Sequence, residues 1–287
     1  MSKLGFALKS FCKSILQPSD CPYCGCHPTT FIQRKRLVLQ LRECGQCRLK
    51  FRFPKDTSAE NKRVFQSRYW LSGNTDFPSE SATARQMSIR APGFGRNFAD
   101  HLKTIQDVTP GGKLLDYGCS WGYHVLQLRE AGYDARGFDI SKSQVEYGRK
   151  FLGAELTEDI ASFPDRAFDV IYSAHCLENI PNPDIPLRHF NRLLKPGGAL
   201  FLYVWNCNGA TARAMGVRWG PMIGATHVLA LTAEFFYRNL PRYGFEARFS
   251  SSPYSSAPQS YESAALDGDE LLVVGIREAA AMDGASV

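Results

Sequence analysis

The sequence has no run of about 18 apolar residues, the length a membrane-spanning helix needs. Its start has no continuous apolar core ahead of a small-residue cleavage site, so a secretory signal is not expected. Acids are scarce at one end. Residues 1–72 hold 14 Lys/Arg against 4 Asp/Glu, while the remainder holds 20 against 24. The formal charge of +6 is therefore a basic front of +10 and a mildly acidic body of −4. A glycine is missing as well. In Asp116-Tyr-Gly118-Cys-Ser120-Trp-Gly122 no close-approach glycine stands between Gly118 and Gly122 to admit a pyrophosphate, which disfavours a nicotinamide or flavin dinucleotide.

The 287 residues, 44% of them hydrophobic, suffice for one sizeable α/β domain and a small accessory one. The apolar run 113–117 ends in an acid, turns through two glycines and opens onto the helical pattern of Val125, Leu126 and Leu128. This reads as a strand, a tight turn and a helix start, an arrangement that points a strand-end side chain and backbone N–H groups at one ligand. A second acid, Asp139, ends the next apolar run. Its distance from the glycine turn, about 20 residues, suits a carboxylate on a ribose. A ligand with a ribose and no diphosphate is expected.

Residues 1–20 form an amphipathic segment, with Leu4, Leu8, Phe11 and Ile15 at helical spacing among Lys3, Lys9 and Lys13. The spacing predicts a short helix docked on its own protein, with a membrane-surface helix as the alternative. Cys21-x2-Cys24 and Cys44-x2-Cys47 are separated by 19 residues, a spacing that fits a structural four-thiolate zinc site in a ribbon over 21–53. Cys26 is a spare. With no secretory signal, the cysteines fit a reducing cytoplasm better than a disulfide framework. The ribbon also carries Arg34, Lys35, Arg36, Arg42, Arg48, Lys50 and Arg52, interleaved with Phe51 and Phe53. Such a face either follows a phosphate backbone or is simply solvated. Residues 54–96 read as a linker with short helices and the aromatics Phe65, Tyr69 and Trp70.

From residue 97 strands and helices alternate: a helix over 97–106, a strand over 113–117, a helix over 122–131, a strand over 134–139, a helix capped by Ser141, and strands over 154–156 and 168–174. Alternation of this kind predicts a doubly wound parallel sheet. Four motifs stand in order: Asp116 to Gly122; Gly137-Phe-Asp139-Ile140-Ser141; Phe168 through His175 and Glu178 to Pro183; and Leu193-Leu-Lys-Pro-Gly-Gly198.

In those motifs residues 97–277 resemble the class I S-adenosylmethionine-dependent methyltransferases. The cysteine ribbon is similar to that of a bacterial subgroup associated with saccharide and secondary-metabolite methylation. The resemblance implies a Rossmann-like seven-stranded sheet whose last strand is antiparallel, with S-adenosylmethionine as cofactor. It implies that Asp116, Gly118, Cys119, Ser120 and Gly122 line the methionine part and that Asp139, beside Ile140, accepts the ribose hydroxyls. Glu158, Asp159 and Ile160 fall where the family contacts adenine, Asp159 being the first choice and Glu158 the alternate. Ser120 stands where the family most often has glycine.

A sulfonium cofactor already activates its methyl group, so a hydroxyl acceptor needs alignment and removal of a proton. His175, immediately after the strand over 168–174, is the first candidate base and cofactor contact, with Glu178 one turn on and His227, before the helix opening at Thr232, as the second base. Residues 206–225 are expected to set specificity, 245–249 and 270–276 to form a final hairpin, and 278–287 to be a disordered tail. The leading expectation is an O-methyltransferase for a sugar or other small polar metabolite. The competing one is an RNA methyltransferase whose basic ribbon holds phosphates. The sequence carries no signal of oligomeric state.

Overall fold

The computed structural model describes residues 3–67, 98–254 and 257–279. Tyr69, Trp70, the rest of the linker from residue 68 and the tail from residue 280 lie outside the described residues. In chain order the elements are α1 (Lys3–Leu16), β1 (Thr30–Lys35), β2 (Leu39–Glu43), β3 (Lys50–Phe53), α2 (Ser58–Ser67), α3 (Phe98–Val108), β4 (Lys113–Tyr117), α4 (Tyr123–Glu130), β5 (Asp134–Phe138), α5 (Lys142–Leu152), β6 (Leu156–Thr157) and β7 (Phe168–Ala174). These are followed by α6 (Asp184–Leu193), β8 (Leu194–Trp205), α7 (Ala210–Met215), β9 (Leu229–Ala230), α8 (Ala233–Asn239), β10 (Phe245–Ser251) and β11 (Glu270–Arg277). One sheet has seven strands in the order β10-β11-β8-β7-β4-β5-β6, and a smaller one has the order β1-β2-β3-β9. Among the described residues no helix is long and apolar enough to cross a membrane.

The chain divides into two compact units. One comprises 1–61, 174–188 and 202–275; the other comprises 62–173, 189–201 and 276–287. In the second unit β4 lies parallel between β5 and β7, with Asp116 in register with Gly137 on one side and Tyr172 on the other. Leu114, Leu115, Val170, Ile171 and Tyr172 are fully buried, as expected of strands covered on both faces. Two glycines bring the layers this close. A Cβ at Gly137 would lie 2.6 Å from Cys119 Sγ, and one at Gly148, on α5, would lie 2.3 Å from the Trp121 carbonyl oxygen.

In the first unit the ribbon strands pair antiparallel, and the two-residue β9 joins beside β3 as the fourth strand of the sheet. Leu39 and Leu41 share a core with Trp219, Met222, Ile223 and Ala230. The Arg52 side chain is 2% exposed; its guanidinium pairs with Asp56 at 2.6 Å and donates to the carbonyls of Gly224 and Ala225 at 2.9 and 3.1 Å. The ribbon thereby braces the 206–225 segment.

Helix α1 forms as its spacing predicts, but its charged side is the side it docks. Lys13 pairs with Glu60 at 2.7 Å and with Asp56 at 3.2 Å, and Lys9 pairs with Glu60 at 2.8 Å. Leu8, Phe11 and Ile15 are exposed. Burial alone would raise the Glu60 carboxyl, yet the hydrogen bonds from Lys13 and Lys9 hold it down to about 2. The acids that draw the lysines inward lie more than 40 residues along the chain, which is why the helix's own periodicity points the other way.

Candidate active site

The second unit supplies a glycine turn with two acids. Gly118 and Cys119 both donate backbone N–H to the Phe138 carbonyl, at 2.7 and 3.0 Å, which ties the end of β4 to the end of β5. Gly118, Ser120 and Gly122 all have positive φ (86°, 54° and 83°). Glycine adopts such a backbone freely, whereas Ser120 carries the strain a left-handed φ puts on a side chain. The strained turn aims the Ser120 N–H at Asp139 Oδ2 (2.9 Å), while the Ser141 N–H takes Oδ1 (2.8 Å). Asp139 is thus fixed in orientation, and each of its oxygens keeps a further lone pair for a ligand.

Asp116 is buried at the end of β4. Burial, and then the charge of Asp139, pushes its carboxyl up to about 8. Asp139 is also raised by burial, against the two N–H bonds it accepts. Among the described residues Asp116 Oδ2 and Ser120 Oγ are buried and have no hydrogen-bond partner. Two orphaned oxygens in one turn fit a ligand that brings donors of its own. A cation is favoured, because two acids this close resist ionising together.

The remaining positions of this group differ in what they can offer. Asp159 caps the short helical turn Ile160–Ser162 through the Ala161 N–H at 2.9 Å. The Ile160 carbonyl accepts from Arg192 at 2.9 Å. Glu158 is exposed, 3.9 Å from Arg149. The Ile140 carbonyl accepts from Gln66, Cys119 packs against Gly137, and Gly122 precedes α4.

The first unit gathers the three candidate catalytic residues. His175 follows β7 with φ +50° and is buried. Its Nε2 hydrogen-bonds Glu270 Oε1, and its Nδ1 lies 3.4 Å from Glu178 Oε1. Glu178 is fully buried and accepts the Trp205 N–H at 2.8 Å. Burial raises this carboxyl, but the His175 hydrogen bond and the charges of His175 and His227 outweigh it, and the net shift is downward. His227 donates to the Pro221 carbonyl through Nδ1–H (3.1 Å), and its neighbour Val228 donates N–H to the Glu178 carbonyl at 2.8 Å. Glu270 and Tyr254, whose hydroxyl donates to Glu270 Oε2, belong to this cluster although sequence reasoning missed them. One signal was available: an acid opening the otherwise apolar strand β11.

Cys21, Cys24, Cys44 and Cys47 place four sulfurs within 4.8 Å of one another, with Cys21 to Cys47 and Cys24 to Cys44 each at 3.5 Å. Tetrahedral thiolates at about 2.3 Å from a zinc ion stand about 3.8 Å apart, so the group fits a metal of that kind. Cys26 lies outside the group, and all nine cysteines are free thiols. The basic residues of the ribbon are largely engaged within the unit. Lys35 donates to the Ile223 carbonyl, Arg42 to Thr29 and Gln40, and Arg48 pairs with Glu43 and Glu234 at 2.9 and 3.0 Å.

Comparison with known proteins adds independent findings. The family described as a methyltransferase domain matches residues 93–248. Methyltransferase GfsG of Streptomyces halstedii is 32% identical over 117 residues, 37% of this chain and 42% of that protein. A ubiquinone biosynthesis O-methyltransferase of Xanthomonas oryzae is 29% identical over 152 residues, 50% of this chain and 57% of that protein. The chain thus spans about half the length of the curated relatives it matches. A solved S-adenosylmethionine-dependent methyltransferase of Thermotoga maritima, described as a possible histamine N-methyltransferase, aligns with a TM-score of 0.50 at 16% identity. The alignment covers 69% of this chain and 96% of that one, and what the two share is the fold.

Proposed function

The chain belongs to the methyltransferase-domain family, as a class I S-adenosylmethionine-dependent enzyme, and from that premise we propose that it O-methylates a small polar metabolite, a sugar or a compound of similar polarity. The observation that carries the cofactor's place is the pair of orphaned buried oxygens, Asp116 Oδ2 and Ser120 Oγ. Asp116 receives the cationic amino-acid end, Gly118, Cys119 and Gly122 shape the turn around it, and Asp139 beside Ile140 takes the ribose hydroxyls. Asp159 and Ile160 face the adenine through the backbone of their turn, with Glu158 as the alternate acid.

S-adenosylmethionine supplies an electrophilic methyl group on a sulfonium. The chain's task is to orient the acceptor and remove its proton as the new oxygen–carbon bond forms. His175 takes that proton. Support comes from the two carboxylates flanking its ring, which favour the imidazolium the step creates. Glu178 holds one edge of the ring, and His227 is the second base candidate. Specificity belongs to the 206–225 segment, which the ribbon braces through Arg52. One relative is a ubiquinone biosynthesis O-methyltransferase, which favours a small acceptor. The internal engagement of Lys35, Arg42, Arg48 and Arg52 speaks against RNA as the substrate.

The test is S-adenosylhomocysteine release from S-adenosylmethionine in the presence of a small-molecule extract or of total RNA, with mass spectrometry of the products. Methylation confined to the small-molecule fraction is expected; methylated RNA would replace this reading with the other. The four-cysteine group is proposed as a structural zinc site. One zinc per chain, lost in Cys44→Ser with cofactor binding still measurable, is the expected metal analysis. Protein purified without zinc and unaffected by chelator would remove that assignment.

A further inference from the structure

The His175 ring is held from several elements of the first unit. Glu270, the first residue of β11, presents Oε1 to Nε2 and receives the Tyr254 hydroxyl on Oε2. Its own backbone is pinned to Ser252: the Glu270 N–H donates to Ser252 Oγ at 3.1 Å, and its carbonyl accepts the Ser252 N–H at 2.9 Å. On the other edge Glu178 Oε1 lies 3.4 Å from Nδ1. The Trp205 indole packs on the ring with centroids 4.7 Å apart, and the His175 N–H itself donates to the Tyr203 carbonyl at 2.8 Å. Of the other titratable neighbours, His227 lowers Glu178 through its charge, while Cys207 is raised by burial and then by the charge of Glu178.

Resting on the role proposed above for His175, we propose that Glu270 is a positioning residue for the methyl-transfer reaction: it holds the imidazole by Nε2 and, through Tyr254, sets how tightly the ring keeps its proton. A carboxylate on one ring nitrogen fixes the proton on that nitrogen and stabilises the imidazolium. The hydroxyl of Tyr254 draws charge from the same carboxylate, so it weakens that stabilisation. Two substitutions therefore act in opposite directions. Glu270→Gln keeps an oxygen that accepts from Nε2–H but removes the charge, so the ring gives up its proton at lower pH. Tyr254→Phe leaves the charge undivided, so the ring keeps its proton to higher pH. A brace with a purely structural role would change melting temperature and move neither titration.

The experiment is a pH titration of the imidazole nitrogens by NMR on the full chain, with the His175 signal assigned by its disappearance in His175→Ala. The expected result is a midpoint about one pH unit lower in Glu270→Gln, about a tenfold change in proton affinity, and a smaller rise in Tyr254→Phe. An unmoved midpoint in Glu270→Gln, or shifts of the same sign in both variants, overturns the proposal. If Glu270→Gln does not fold, Tyr254→Phe decides alone: a raised midpoint supports the proposal and an unmoved one overturns it. Turnover separates the two levels of the argument. Wild-type S-adenosylhomocysteine release by His175→Ala would remove the base reading itself, whereas lost turnover there with no titration shift in Glu270→Gln would remove only the role of Glu270.

Discussion

The turn at 116–122 and the loop at 175–179 both hold buried acids, and they treat them in opposite ways. In the turn, Asp139 is oriented by two backbone N–H groups, and Asp116 Oδ2 is left with no protein partner among the described residues. At the loop, Glu178 and, from β11, Glu270 are committed to His175, Trp205 and Tyr254. The first arrangement is a socket, incomplete until something charged arrives. The second is a preset group whose protonation is governed by its own neighbours. Under the O-methylation proposed above the two have separate tasks, cofactor binding for the turn and removal of the acceptor's proton for the loop.

The comparison breaks most sharply at His175. His175→Ala should lower turnover about 10²-fold or more while leaving S-adenosylmethionine affinity within about twofold, measured by calorimetry beside steady-state assays. Equal losses in both would mean that the loop is part of the socket. Gly148→Ala attacks the other side. Its Cβ would lie 2.3 Å from the Trp121 carbonyl oxygen, a backbone atom with little room to give, so a destabilisation of about 1–3 kcal/mol is expected. Thermal melts should show it, together with weakened cofactor binding and an unchanged metal content.

A finer test uses pH. Asp116 is raised to about 8, above its value in an unfolded chain, so the folded protein without cofactor carries a proton there across the neutral range. Binding a cation at Asp116 must release that proton. Affinity for S-adenosylmethionine should therefore rise with pH up to about 8, by at most about tenfold per unit, and flatten in Asp116→Asn. The converse holds for the fold alone, which should lose stability between about pH 4 and 8, where the unfolded chain has given up this proton and the folded one still keeps it. A pH-independent affinity in the wild-type protein would show that Asp116 does not meet the cofactor's charge. The smallest expected effect is none: neutralising Arg34 and Arg36 should leave salt-dependent RNA retention at background, and a specific loss would revive the nucleic-acid reading.

What could be read from the sequence follows the range of the interactions. Asp116 to Gly122 and Asp139 lie within one strand-turn-helix-strand unit, and their spacing is set by local geometry. The two Cys-x2-Cys pairs carry their own register, so the four sulfurs meet as the spacing predicts. His175 was legible as the residue that ends an apolar strand. Glu270 was not, because 95 residues separate it from His175 and no local pattern records which acid a fold brings back. The inverted docking of α1 and the engagement of Arg48 and Arg52 have the same cause: the partners Asp56, Glu60 and Glu234 lie outside the segments whose pattern is being read. Strand β9 has two residues, too few for any periodicity to announce it.

The brace between ribbon and loop also bears on protein engineering. Arg52 and β9 tie the ribbon to the segment expected to choose the acceptor, so the two form one exchangeable cassette. Grafting 206–225 alone from a relative with another acceptor would set a foreign backbone against a guanidinium placed for the carbonyls of residues 224 and 225. Transfer of selectivity between such enzymes should succeed only when the cysteine ribbon travels with the loop.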